Sequence, residues 1–116
     1  MPLLAVPLVL AACAPMAPPP YPPGPQTGYH AIGTEPFWDL MIGPRDMVFT
    51  DRGSGRQVVQ PTPRPIIGVA GEIYNTPRIQ ANIVHAPCSD GMSDRTYRDK
   101  VQVTVDSRPY AGCGPA

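Results

Sequence analysis

The chain carries no excess of charge of either sign. Lys and Arg together number nine, and Asp and Glu also number nine, so the formal net charge is zero. A protein that holds nucleic acid or an anionic membrane surface by electrostatic attraction concentrates Lys and Arg on one face. This composition offers no such surplus, and we therefore expect no nucleic-acid partner.

Motifs for catalysis and metal binding are also lacking. The two histidines, His30 and His85, lie far apart, and neither has the spacing of a metal ligand. Ser93, His85 and Asp90 are triad residue types, but no G-x-S-x-G sequence and no phosphate-binding glycine loop accompany them. An enzyme would need Glu35 and an aspartate facing one cleft. We predict that the protein is not an enzyme and uses neither a cofactor nor a metal.

No segment repeats its apolar residues with the 3.6-residue period of a helix, and at most one helical turn fits, around residues 93–97. Apolar and polar residues alternate instead, as they do on half-buried strands. The clearest alternations are Trp38, Leu40 and Ile42, then Ile79, Ala81 and Ile83, then Val101, Val103 and Val105. Gly- and Pro-rich turns separate these runs. We predict an all-β domain over residues 28–114, a small antiparallel barrel or sandwich of seven to eight short strands.

Three cysteines are present, Cys13 near the start and Cys88 and Cys113 in the domain. An even pair inside a small domain indicates a disulfide, and disulfides persist in oxidising compartments outside the cytoplasm. A Cys88–Cys113 bond would close a loop of about 25 residues, for which chain entropy predicts roughly 3.5 kcal/mol of stabilisation. The domain is therefore expected to be exported.

Residues 1–12 read as a signal segment that is apolar and too short to span a bilayer. Its end, Leu10-Ala11-Ala12-Cys13, resembles the bacterial lipobox, in which cleavage precedes a cysteine that becomes lipidated. No Lys or Arg precedes the apolar run, although a signal usually begins with one. The alternative is a cleaved signal followed by an incidental cysteine. The favoured interpretation is a lipid anchor at Cys13.

Residues 13–27 are predicted to be the lipidated Cys13 followed by a proline-rich linker. Residues 14–26 contain seven prolines and no charged side chain. Such a run favours polyproline II and cannot bury a core. At about 3.1 Å per residue it could extend roughly 40 Å and act as a spacer between a membrane and the domain. A ligand for a proline-reading groove is the alternative.

Two motifs resemble a family of bacterial lipoproteins whose function is uncharacterised. The first is Gly33-Thr34-Glu35-Pro36-Phe37-Trp38, and the second begins Cys88-Ser89-Asp90-Gly91-Met92-Ser93-Asp94, continues to Tyr97 and closes with Gly112-Cys113. Members of that family show a G-T-E-P-F-W stretch and a C-x-D-G-M-S-D-x-x-Y…G-C closure. The resemblance implies an exported β domain and implies little about its activity.

A fainter similarity is to the membrane-bound inhibitors of c-type lysozyme, which are small lipoprotein β-barrels with a disulfide and an inhibitory loop rich in Ser and Gly. Residues 89–97 would be the corresponding loop. The Ser-Gly-x-x-Tyr pattern of those inhibitors is not matched, because Asp94 stands where glycine is expected.

The two motifs supply the candidate binding residues, which are Glu35, Phe37, Trp38, Asp90, Met92, Ser93, Asp94 and Tyr97. Adjacent residues on a strand face opposite sides, so Phe37 and Trp38 cannot both face the core. The favoured role of Trp38 is nevertheless in the core. The favoured role of Glu35 is to accept backbone N–H bonds within its own turn. The motifs can form one surface only if the first and last strands are neighbours.

The oxygen atoms of residues 89–94 have two interpretations. They could surround Ca²⁺, although their spacing is not that of an EF-hand loop. The favoured interpretation is an Asx turn closed by the Asp90 side chain, with Gly91 at positive φ.

Taken together, these features predict a lipid-anchored binding module of the bacterial cell envelope that faces the periplasm, with the outer membrane as the expected location. Its expected partners are the membrane, through Cys13, and an envelope protein, a cell-wall component or a lysozyme. The alternatives are a lysozyme-inhibitor-like protein and an envelope structural or assembly lipoprotein.

Overall fold

The computed structural model describes residues 28–116, and the predicted signal segment, Cys13 and the proline-rich linker lie outside the described residues. The strands are β1 (Tyr29–Thr34), β2 (Phe37–Ile42), β3 (Asp46–Asp51), β4 (Gln57–Pro61), β5 (Ile66–Ile67), β6 (Gly71–Asn75), β7 (Ile79–Val84), β8 (Cys88–Ser89), β9 (Thr96–Tyr97), β10 (Asp99–Val105) and β11 (Arg108–Gly114). The prediction of an all-β domain is confirmed. Within residues 28–116 there is no helix, so the helical turn allowed at residues 93–97 was wrong; β9 lies there instead.

Nine strands form one antiparallel sheet in the order β4-β3-β2-β1-β11-β10-β7-β6-β5, and β8 pairs with β9 separately. The sheet curls into half of a barrel. More strands form than the seven or eight predicted, partly because β5, β8 and β9 are only two residues long. The first and last long strands are neighbours, with Ile32 of β1 opposite Cys113 of β11. The described residues contain no helix of the length and apolar character needed to span a bilayer.

One face of the curled sheet carries the core, as the alternating pattern predicted. The inward residues of β7 and β10 are fully or almost fully buried: Ile79, Ala81, Ile83, Val101, Val103 and Val105. Each valine or isoleucine side chain among them contributes about 1.5–3 kcal/mol of stability when it is fully removed from water. Trp38 stacks on Phe49 with ring centroids 5.8 Å apart and meets the edge of Tyr110 at 6.2 Å. The core thus joins strands from both halves of the sheet.

The indole of Trp38 lies so close to β11 that only glycine fits beneath it. Gly112 stands opposite Val101 and therefore faces the core side. A Cβ atom added to Gly112 would overlap the carbonyl oxygen of Ile32 and lie 2.7 Å from Cζ2 of Trp38. The backbone of β1 cannot retreat without breaking its ladder with β11, so the close approach requires glycine.

Gly112→Ala should therefore lower the free energy of unfolding by about 1–3 kcal/mol through overpacking. Urea unfolding followed by the fluorescence of Trp38 measures the change. Gly53→Ala is the matched control, because its added Cβ would meet only Asp51 Oδ1, at 3.4 Å. We expect the control to stay within about 0.5 kcal/mol of the wild type. Equal losses in the two variants would contradict this account of the Trp38 contact.

A hydrogen-bonded chain of polar side chains ties four segments together at the start of β10. Asp99 is only 5% exposed, and its carboxylate accepts a bond from the Tyr29 hydroxyl at 2.8 Å. His85 lies between two carboxylates, with Nδ1 2.8 Å from Asp99 and Nε2 3.0 Å from Glu72. The hydrogen bond to Asp99, then that to Glu72, raises the pKa of His85. Burial and the bond to Asp99 raise the pKa of Tyr29.

The stabilisation from protonated His85 should be complete below its ordinary pKa of about 6.5 and should disappear as the pH rises through the raised folded-state value. His85→Gln is therefore expected to destabilise the protein more at about pH 5.5 than at about pH 9. Urea unfolding at both pH values tests this. Glu72→Gln removes one of the two partners and should give a smaller loss of the same sign. An identical loss at both pH values for His85→Gln would overturn the assignment.

Candidate functional site

The strands β8 and β9 and the loop between them, residues 90–95, form a hairpin that we call the docked hairpin. It lies on the outer face of the main sheet, the face away from the core. Lys100 stands opposite Cys113 across β10 and β11, in a row that faces outward, whereas the next pair, Val101 and Gly112, faces the core. The Cys88–Cys113 disulfide, predicted from the sequence and confirmed here, attaches the hairpin to this outer row.

A small apolar cluster forms beneath the docked hairpin. Cys88, Tyr97 and Cys113 are 9%, 5% and 2% exposed, and Ile32 packs against them from β1. Tyr97 is brought back to Cys88 by direct strand pairing. The hairpin is therefore held by a covalent bond and a few apolar contacts, and it has no large core of its own.

The loop of the docked hairpin is folded around Asp90. Its Oδ1 accepts bonds from the backbone N–H groups of Met92 at 3.0 Å and Ser93 at 2.9 Å, and the Ser93 hydroxyl donates to Oδ2 at 2.9 Å. These bonds, led by that from the Ser93 backbone, lower the pKa of Asp90. Gly91 has a φ of 75°, as the Asx-turn interpretation predicted. The carboxylate oxygens of Asp90 are thus engaged within the loop.

The two sequence motifs meet at this loop. The Thr34 hydroxyl, at the end of β1, donates a hydrogen bond of 3.1 Å to the backbone carbonyl of Asp90, 56 residues further along the chain. Between the docked hairpin and the outer face lies a pocket of about 280 Å³. Its walls are Gly33, Thr34, Cys88, Ser89, Asp90, Lys100, Val101, Gln102, Ala111, Gly112 and Cys113. The neighbouring first and last strands make this junction possible.

The candidate residues divide between the surface and the interior. Glu35, Phe37, Met92, Ser93 and Asp94 are exposed, with Phe37 at 53% and Met92 at 63%. The favoured role of Glu35, accepting backbone N–H bonds within its turn, was wrong, because its carboxylate makes no hydrogen bond with residues 28–116.

The adjacent residues Phe37 and Trp38 face opposite sides of β2. Phe37 stands directly opposite Thr34 and so shares its outer face, close to the junction. Trp38 is 1% exposed and belongs to the core. Tyr97 belongs to the apolar cluster under the hairpin, with its hydroxyl 3.5 Å from Asp90. The accessible surface is therefore formed by the candidate residues other than Trp38 and Tyr97.

Sequence reasoning missed three members of the site, Thr34, Lys100 and Gln102. The alternation of β10 could have indicated two of them, since inward valines at 101 and 103 leave Lys100 and Gln102 on the outer face. Lys100 is the chain's only lysine, and its ammonium has no carboxylate partner among the described residues. The outer-face site, as we name it, comprises Thr34, Glu35, Phe37, Ser89, Lys100, Gln102 and the 90–95 loop.

No family model, curated protein or solved structure matches the chain.

Removing the disulfide should detach the docked hairpin before the rest of the domain opens. The double variant Cys88→Ala, Cys113→Ala is expected to lose about 3.5 kcal/mol of unfolding free energy, because a loop of about 25 residues is no longer closed. Hydrogen exchange should quicken most at residues 89–97, whose other contacts are few.

The variant Cys13→Ala is the matched control, since it removes the cysteine outside the disulfide, and it should change neither measurement. Exchange at residues 89–97 that stays as slow as in the wild type would show that the hairpin holds without its covalent bond.

Proposed function

We propose that the protein is a lipid-anchored binding module of the bacterial cell envelope, that it faces the periplasm, and that it binds its partner through the outer-face site. The observation that supports this most directly is the hydrogen bond between Thr34 and Asp90. It joins two distant motifs into one surface with a pocket. Side chains on exposed loops held by a rigid sheet are common binding groups.

The chemistry of the outer-face site favours a partner with carboxylate and hydrogen-bonding groups. Lys100 supplies a positive charge without a carboxylate partner among the described residues, beside the amide of Gln102 and the hydroxyl of Ser89. Phe37, which stands opposite Thr34, and Met92, in the 90–95 loop, add exposed apolar surface. Polar groups around a small apolar area are typical of transient protein contacts.

The site continues beyond the pocket. A second depression of about 360 Å³ shares Gln102 and Ala111 with it and extends along β10 and β11 to Thr104 and Pro109. A surface of this form suits an extended segment of an envelope protein or a cell-wall component better than a compact small molecule.

The proposed location in the cell envelope depends on the sequence before residue 28. Acylation of Cys13 would fix the chain to the membrane, and the proline-rich linker would hold the domain at a distance from it. Mass spectrometry of the protein isolated from membranes tests the anchor: a diacylated or triacylated N-terminal Cys13 supports it, and a cleaved chain with free Cys13 refutes it.

The proposal assigns no catalytic step. The carboxylate of Asp39 forms an ion pair with Arg52, and that of Asp90 is engaged by its own loop. Asp94, a third aspartate that could accompany Glu35, is exposed and has no such partner among the described residues.

If the outer-face site binds the partner, removing its exposed apolar groups should weaken capture. Phe37→Ser with Met92→Ser is expected to reduce the amount of partner recovered from envelope extract at least about tenfold, since central apolar contacts dominate binding energy. Quantitative mass spectrometry of cross-linked complexes measures the loss.

The matched control is Met41→Ser with Val59→Ser, two side chains of similar exposure, 43% and 51%, that lie outside the site. Equal recovery from the two double variants would reject the outer-face site.

Addition of the purified protein to c-type lysozyme tests the inhibitor alternative: undiminished lysis at micromolar protein removes it. Stable recovery with an envelope assembly complex would instead favour the structural or assembly alternative.

A further inference from the structure

A second cleft lies on the core side of the sheet, separate from the outer-face site. It opens where the turn between β3 and β4 faces the turn between β10 and β11, and it encloses about 370 Å³. We call it the mouth cleft. Its floor is apolar and consists of Phe49, Val58, Val105 and Tyr110. An apolar floor with a few polar groups at the rim is the usual form of a small-molecule site, and such sites begin at about 300 Å³.

The floor of the mouth cleft is rigid and aromatic. The rings of Phe49 and Tyr110 have centroids 4.7 Å apart, and both pack on Trp38. Phe49 and Tyr110 come from opposite halves of the sheet, so the floor exists only in the folded domain. Phe49 is 2% and Tyr110 8% exposed, so a flat or branched apolar group would rest on the small part of these rings that faces the cleft.

The guanidinium groups of Arg56 and Arg108 stand at the rim of the mouth cleft. Arg56 forms an ion pair with Asp106, which is also bound by Arg78 outside the rim. Asp106 accepts two bonds from Arg78, at Nε with 2.9 Å and at Nη2 with 2.8 Å, and a third from Arg56 at 2.5 Å. The bond to Arg78 is the main reason that the pKa of Asp106 is lowered. Since Arg78 already holds both carboxylate oxygens, Arg56 could turn to a ligand without leaving Asp106 unpaired.

The second guanidinium is that of Arg108. Its Cζ lies 5.5 Å from the centroid of the Tyr110 ring, and it has no ion-pair partner among the described residues. Asp51 also lines the rim, but its Oδ1 accepts bonds from the backbone N–H groups of Gly53 and Ser54 in its own turn. Asp51 therefore does not pair with Arg108, and the Arg108 guanidinium lies beside the Tyr110 ring without an ion pair among the described residues.

We propose that the mouth cleft binds a small organic carboxylate with an aromatic or branched apolar body. The apolar body lies on the floor formed by Phe49 and Tyr110, and the carboxylate is bound by Arg108 and by Arg56. Guanidinium groups bind carboxylates through paired N–H bonds, which gives both affinity and orientation. This site is independent of the binding function proposed for the outer face.

The test uses the full chain with phenylacetate and its neutral isostere phenylacetamide. Each is titrated while the fluorescence of Trp38 is followed, because this single tryptophan packs on both floor rings. We expect phenylacetate to bind about tenfold more tightly than phenylacetamide, the usual effect of one charge-assisted contact. Acetate, which lacks the apolar body, should leave the fluorescence unchanged.

Arg108→Gln should remove the preference for phenylacetate. Arg95→Gln is the matched control, because Arg95 also lies over a tyrosine, with its Cζ 5.0 Å from the Tyr97 ring, but on the docked hairpin. The control should keep the preference. Equal binding of acid and amide by the wild type, or the same loss in both arginine variants, would overturn the proposal. If Arg108→Gln fails to fold, the comparison of phenylacetate with phenylacetamide on the wild type decides by itself whether the proposal stands.

The double variant Phe37→Ser, Met92→Ser should bind phenylacetate normally, which separates this site from the outer-face site.

Discussion

The pairing of β1 with β11 is the contact on which the rest of the structure depends. Each half of the sheet is a run of local connections, β1 to β4 on one side and β5 to β11 on the other, and this pairing alone joins them within the described sheet. It brings Phe49 against Tyr110 across the core. It also places Ile32 opposite Cys113 on the outer face. Contacts between residues so distant in the chain form at a high entropic cost, which the shared core must offset.

The two faces of the sheet at the β1–β11 pairing serve different purposes. On the inner face Gly112 leaves room for Trp38, so that the aromatic core continues without a break from β2 to β11. On the outer face the disulfide attaches a hairpin with too few apolar residues to stay folded alone. A rigid core on one side thus supports a loop on the other, and the loop is free to carry polar residues because stability does not rest on it.

Charged groups secure both ends of β10. Asp99, at its first residue, is almost completely buried and bonded to Tyr29 and His85. Asp106, directly after its last residue, is bonded to Arg78 and Arg56. Asp99 is withdrawn from water, which is tolerated only because its oxygens are paired. The bonds of the two carboxylates reach different segments of the chain. The same arrangement leaves Lys100 and Arg108 without carboxylate partners among the described residues, and these two cations define the two proposed sites.

The sequence by itself determined the long strands, the inward positions such as Val101 and Val103, the cysteine pair and the Asx turn at Asp90. All of these are encoded by residues close together in the chain, because the period of side chains and the chemistry of turns are local. It also showed that Phe37 and Trp38 face opposite sides. Only the tertiary structure decided which strands pair, that Thr34 reaches Asp90, and that Lys100 and Gln102 line the same pocket. The backbone hydrogen bonds of a strand suit any partner equally, so side-chain packing over the whole sheet selects the neighbours, and no short stretch of sequence contains that choice.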